Sequence, residues 1–185
     1  MPGGDTDGGT EITPEIRAII EAQRAEKKLE RSNSGKVMRR LAKKLKSRGF
    51  NRRSTWFSRD AGLVVQFLHV HKFTFGPCFR LHWGIRVLND SRAFIALTGP
   101  EETQGLEYGA DDDSLDRCAE RMHRIVAGDA EAWFAKQTTE RLLKADSCLD
   151  ASARSALQRA LAGQVDQEAV MRSRELLGIG QAGGN

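Results

Sequence analysis

Two periods of apolar residues succeed one another along this chain, helical towards both ends and alternating in the middle. Thr13, Pro14 and Glu15 supply an N-cap, a first-turn proline and an acid suited to a helix start, and they open a run that ends near Arg31. Ile16, Ile19 and Ile20 give this helix a thin apolar stripe that fades to alanines and Leu29, so its later turns are expected on the surface. The stretch RSNSG then predicts a break. Val37, Met38, Leu41, Ala42 and Leu45 predict a second amphipathic helix over 36 to 48, closed by Gly49 as a left-handed C-cap with Phe50 folding back on its last turn.

Beyond Phe50 the period changes. STWFSR, GLVVQFLHVHKF and CFRLHWGIRVL are rich in Val, Phe, Trp and Leu and are separated by the turn signals RDAG and FGP, which predicts a three-stranded antiparallel meander. RAFIALT is expected to add a fourth strand, and the acidic stretch from Gly99 to Asp113 to form an exposed loop. Helical spacing returns with Leu115, Cys118, Met122 and Ile125 behind Ser114 as N-cap, and continues through Trp133, Phe134, Thr138, Leu142 and Leu143. Two more helices are expected near 151 to 162 and 165 to 177. The order predicts an α+β fold in which a three- to four-stranded antiparallel meander packs against N-terminal and C-terminal helices. Residues 13 to 148 form one domain with its N-terminal helix, 149 to 178 a C-terminal helical extension, and 1 to 12 and 179 to 185 flexible tails.

Composition narrows the class. At 185 residues, with 39% hydrophobic and 29% charged, the chain can bury one core, and no window approaches the roughly 18 apolar residues of a membrane span. No basic segment followed by an apolar one opens the chain, which predicts a cytoplasmic location without membrane contact. Cys78, Cys118 and Cys148 are odd in number and widely spaced, as free thiols are. The net charge of +4 is unevenly distributed: Lys36 to Asp60 holds ten Lys or Arg against one acid, and Glu101 to Glu120 holds eight acids against Arg117 alone. A molecule with one basic and one acidic pole is the expectation.

Candidate chemistry concentrates in FLHVHKFTFGPCFRLHWGI, residues 67 to 85, which hold three of the four histidines. His69 and His71 share one face of a strand, and His82 on the next strand is the third ligand of a metal alternative. Phe79, Leu81, Trp83, Ile85 and Val87 face the core, which leaves Cys78, Arg80, His82 and Arg86 outside. Pairing His69 with Leu81 turns His82 away from the other imidazoles, and only a one-residue shift unites them. Arginines on that surface would repel a cation, and no Asp or Glu lies between Gly62 and Leu88, so the solvated side of a hairpin is preferred to a metal centre and no cofactor is expected. Arg80, His82 and Arg86 form instead a candidate anion-binding strip. Asp111, Asp112 and Asp113, with Leu106 and Tyr108 as anchors, form a candidate docking loop. Lys36, Arg40, Lys43, Lys44, Arg52, Arg53 and Trp56 form a candidate nucleic-acid face. SNSGKV lacks the first glycine and the Ser or Thr of a phosphate loop, no GxSxG elbow is present, and no catalytic residue is assigned.

The segments LAKKLKSRGFNRRSTWFSRD, LVVQFLHVHKF, CFRLHWGI and AEAWFAKQTTERLL, spanning roughly residues 36 to 148, resemble a bacterial family known as domain of unknown function 4304. The resemblance implies the α+β fold and no activity. His69 and His82, the long acidic loop and the added terminal helices depart from the family pattern. The expectation is a non-enzymatic macromolecule-binding protein, of an immunity type by analogy of fold, whose partner is another protein, with nucleic acid as the alternative.

Overall fold

The computed structural model describes residues 13–74 and 76–180, so the expected tail at 1–12 and all but Ile179 and Gly180 of the expected tail at 179–185 lie outside the described residues. The α+β class and the antiparallel meander are as the alternating pattern predicts. Five strands lie in chain order: β1 (Asn51–Arg53), β2 (Trp56–Ala61), β3 (Val64–Lys72), β4 (Cys78–Val87) and β5 (Leu106–Glu107).

The first helix, α1 (Pro14–Leu45), is a single rod of 32 residues, not two helices broken at RSNSG. The Ser, Asn and Gly residues of that stretch cost about 3 kcal/mol together relative to alanine. A break would cost more, because it would create two more helix ends, each with four unsatisfied backbone groups. The local polar groups are also accommodated: Asn33 is buried and the Ser34 hydroxyl donates to the Arg31 carbonyl at 2.9 Å. Val37, Met38, Leu41 and Leu45 pack this half of the rod on the sheet. Residues 14 to 29 are almost wholly exposed, so about 24 Å of helix buries little of its surface. The surface part is thus the whole first half of the rod and not only its later turns, since Ile16 and Ile19 of the expected stripe are themselves exposed. At the other end Gly49 takes the left-handed conformation (φ 80°) and Phe50 is buried, as expected.

After the sheet come α2 (Asp112–Ile125), a π-helical turn (Val126–Ala130), α3 (Glu131–Lys136), α4 (Thr139–Leu143), α5 (Ala151–Leu161) and α6 (Gln167–Leu177). The N-cap of α2 is Asp111, whose carboxylate accepts from Ser114 N at 2.7 Å; the Ser114 hydroxyl serves Gly109 N instead. Phe57, Leu68, Val70, Phe79, Leu81, Trp83, Ile85 and Val87 form the main core with α1 and α2. A smaller cluster, Val65, Phe67, Leu88 and Leu177, lies on the other side of the sheet beneath α6.

Two expectations about the loops fail. Residues 92 to 98 form no strand, because their chain curls around the Arg86 guanidinium, to which Asp90, Arg92 and Phe94 offer backbone carbonyls. The stretch 99 to 113 is not a free loop. Its chain runs along the outer edge of β4, with Trp83 N bonded to Pro100 O and Glu102 N to Leu81 O, and then forms β5. Leu106 and Tyr108 are buried by that pairing and are not exposed anchors.

A candidate binding surface on the second sheet face

The register of β3 and β4 decides which histidines meet. His69 pairs with His82, not with Leu81, so His69, His71 and His82 all point to one face. The pairing matches Leu68 and Val70 of β3 with Trp83 and Leu81 of β4 on the core face. On the opposite face one row crosses the sheet: Arg53, Trp56, His69, His82 and, through an isolated bridge, Glu101. His71 and Arg80 form the next row.

Half of this face is covered. Ser58 donates to Leu177 O at 2.9 Å, and Arg86 Nε donates to Ser173 Oγ at 2.8 Å, which fixes α6 over Val65 and Phe67. Gly84 serves the same closure: a Cβ there would lie 2.6 Å from the Phe67 ring and 2.8 Å from Thr98 Oγ1, whose hydroxyl bonds both Ile85 N and Ile85 O. The other half, carrying Trp56, His69, His71, Phe73, Arg80, His82 and Glu101, is open or half-open.

The rings on the open half stand as a ladder. Trp56 and His69 stack with centroids 4.1 Å apart and 17° between planes, and His82 continues the stack 6.3 Å from His69. Such rings present edges to solvent, whereas a platform for nucleobases presents faces. At the end of the ladder His82 Nε2 lies 3.2 Å from Glu101 Oε1, although Oε1 accepts no aligned hydrogen bond. Arg80 reaches the same oxygen at 3.4 Å while its guanidinium lies 4.5 Å over the Phe73 ring. Burial and the neighbouring His71 and His82 push His69 down to about 4, so its imidazole is neutral at physiological pH.

Sharing a face does not make the three histidines a metal centre. The ring centroids of His69 and His71 are 6.1 Å apart, and among the described residues no group of three His, Cys, Asp or Glu is arranged to hold a metal ion. Burial pushes the Cys118 thiol up to about 12 and also raises Cys148, which keeps both protonated.

The remaining sequence candidates separate. Arg86 is not part of an exposed strip: it is 3% exposed and donates to Ser173 Oγ and the carbonyls of Asp90, Arg92 and Phe94. Arg80, 47% exposed along its side chain, is the arginine of β4 that faces solvent. Asp111 caps α2, Asp113 is exposed, and Asp112 is drawn to α1. The nucleic-acid set also divides. Lys36, Arg40 and Lys44 turn to α2, Lys43 faces outward, Arg52 and Arg53 lie in the edge strand β1, and Trp56 belongs to the ladder.

The two charged regions therefore neutralise each other. Lys36, Arg40 and Lys44 recur every four residues and meet Asp112, Asp116 and Glu120, which recur likewise: Lys36 to Asp112 at 3.6 Å, Arg40 to Asp112 at 2.9 Å and to Asp116 at 3.3 Å, and Lys44 to Glu120 at 2.6 Å. Hydrogen bonds from Arg40 and Lys44 hold the Asp112 and Glu120 carboxyls below their usual range. Two poles expected from the sequence become one seam between parallel helices.

Glu101 and Arg59 were not legible as important residues. Glu101 reaches His82 only because the 98 to 102 segment follows the β4 edge. Arg59 is bidentate to Glu131 at 2.9 and 2.8 Å, bonds Gln66 Oε1 at 2.7 Å and lies 4.6 Å over the Phe50 ring. No protein-family model, curated protein or solved structure matches the chain. Among the described residues no helix is long and apolar enough to cross a membrane.

Proposed function

We propose that this chain is a non-enzymatic protein-binding domain that docks its partner on the open half of the second sheet face, at Trp56, His71, Phe73, Arg80 and His82. The supporting observation is the ladder itself: aromatic, imidazole and guanidinium groups lie side by side on rigid strands at the surface, the residue types that anchor protein interfaces. Strand pairing orders these groups before binding, which lowers the entropy cost of association. The partner presents acidic groups, because Arg80 faces solvent within the patch and the exposed Arg53 stands in the row beside Trp56, while Arg80 meets Glu101 at 3.4 Å. The acidic loop has no comparable claim, since Asp111 and Asp112 are occupied in capping and pairing.

The experiment is affinity capture from native lysate with and without nuclease, using the wild type, Arg80→Glu with His71→Glu, and Asp113→Ala as a control on the loop. A stoichiometric protein that survives nuclease, is lost with the double variant and is kept by Asp113→Ala supports the proposal. Equal capture by the double variant would falsify it.

A further inference from the structure

A second surface lies along the outside of the seam between α1 and α2. Adjoining grooves there are lined by Arg40, Lys43 and Lys44 of α1, by Ser47 in the turn that follows it, and by Asp116, Arg117, Glu120, Arg121 and Arg124 of α2, and they run on past Ile125 to Asp129. Six cations face three carboxylates in that lining. Asp116 and Glu120 are engaged by Arg40 and Lys44, so their charge is already compensated within the seam.

The excess positive charge sits on four side chains. Lys43, Arg117 and Arg124 are exposed, and Arg121 bonds only the neutral Gln104 side chain. Arg117, Arg121 and Arg124 fall at i, i+4 and i+7, so they form one row on α2, about 10 Å long. Lys43 lies across the groove on α1, at the spacing of packed helices of about 8–10 Å.

The geometry points to a sequence-independent binding groove for the phosphodiester backbone of a single-stranded nucleic acid. Cations on both banks of a groove suit one polyanionic chain lying between them, and guanidinium groups suit phosphate. Ile125 is the one apolar side chain in the lining and no aromatic ring lies there, so the groove lacks the ring platform on which successive bases stack. This surface is distinct from the ladder and from the basic set visible in the sequence, of which only Arg40, Lys43 and Lys44 border it.

The test is fluorescence anisotropy of a labelled oligothymidylate between 50 and 200 mM salt. Four phosphate contacts predict a slope of log K against log salt of about −3, an affinity loss of about 50-fold across that range. Lys43→Gln, Arg117→Gln and Arg124→Gln together, all at exposed positions, should cut the slope to about −0.7 and abolish measurable binding at 200 mM. Circular dichroism of the triple variant should match the wild type. No binding at 50 mM salt overturns the proposal. Binding that the triple variant retains in full, or that Arg80→Glu removes instead, overturns it too.

Discussion

Replacing Arg86 separates a structural role from a binding role. Its guanidinium is buried and donates four hydrogen bonds, to Ser173 Oγ at 2.8 Å and to the carbonyls of Phe94, Asp90 and Arg92 at 2.6, 3.0 and 2.7 Å. Arg86→Met keeps much of the volume and removes all four donors. Each buried acceptor left without a donor costs about 1–3 kcal/mol, and water can reach the Phe94 and Arg92 carbonyls more easily than that of Asp90. A net loss of about 3 kcal/mol follows, which for a chain of this size lowers Tm by about 6–12 °C. Arg86→Lys keeps the charge but not the planar fork, and should lose about half as much. Urea denaturation measures both, with an unchanged m-value as the check that the unfolded state is the same. A Met variant within about 0.5 kcal/mol of wild type would refute the structural role. So would a variant of unchanged stability that fails to capture the partner, because that outcome returns Arg86 to the surface strip.

Other consequences can be checked on the same footing. Gly35→Ala should stabilise the protein by about 0.5–1 kcal/mol, because position 35 is a helix interior whose added Cβ meets only the flexible Arg39 side chain at 3.4 Å; a neutral or destabilising result would reinstate the break. His69 has a folded-state pKa below that of the unfolded chain, so its contribution is complete above about pH 6.5 and is lost as pH falls towards 4. After discounting for partial solvent screening the loss between pH 7 and 5 is about 1 kcal/mol, and a His69→Gln variant should show less pH dependence than wild type in that window. Arg40→Glu should lower Tm by setting like charges at Asp112 and Asp116, and Asp112→Lys in the same chain should restore part of it; a double variant no better than the single one would count against the seam. One molar salt should shrink both differences.

Much of the fold was legible because its signals are local. The alternation from Trp56 to Val87 and the helical spacing of Leu115, Cys118 and Met122 carry their own reading. What failed depended on partners distant in the chain. β3 is apolar on both faces at Val65 and Phe67, because α6 arrives more than a hundred residues later to cover them, and that double pattern hid the register that unites the histidines. Matching Leu68 and Val70 to the apolar odd positions of β4 would have found it. Arg86 reads as a surface residue from alternation alone, and the curl of 90 to 94 together with Ser173 of α6 buries it. The charged seam is invisible to windowed counting, yet Lys36, Arg40 and Lys44 against Asp112, Asp116 and Glu120 share a four-residue rhythm that pairing of helix faces would have exposed.

The claim that the open sheet face is the docking surface is tested most directly by hydrogen exchange of the chain alone and in complex with its captured partner. Added protection should concentrate in β2 and β3 from Trp56 to Lys72 and in β4 from Cys78 to His82, with little change from Asp111 to Asp116. Protection confined to the Asp111 to Asp116 turn, with the ladder strands unchanged, would contradict the account.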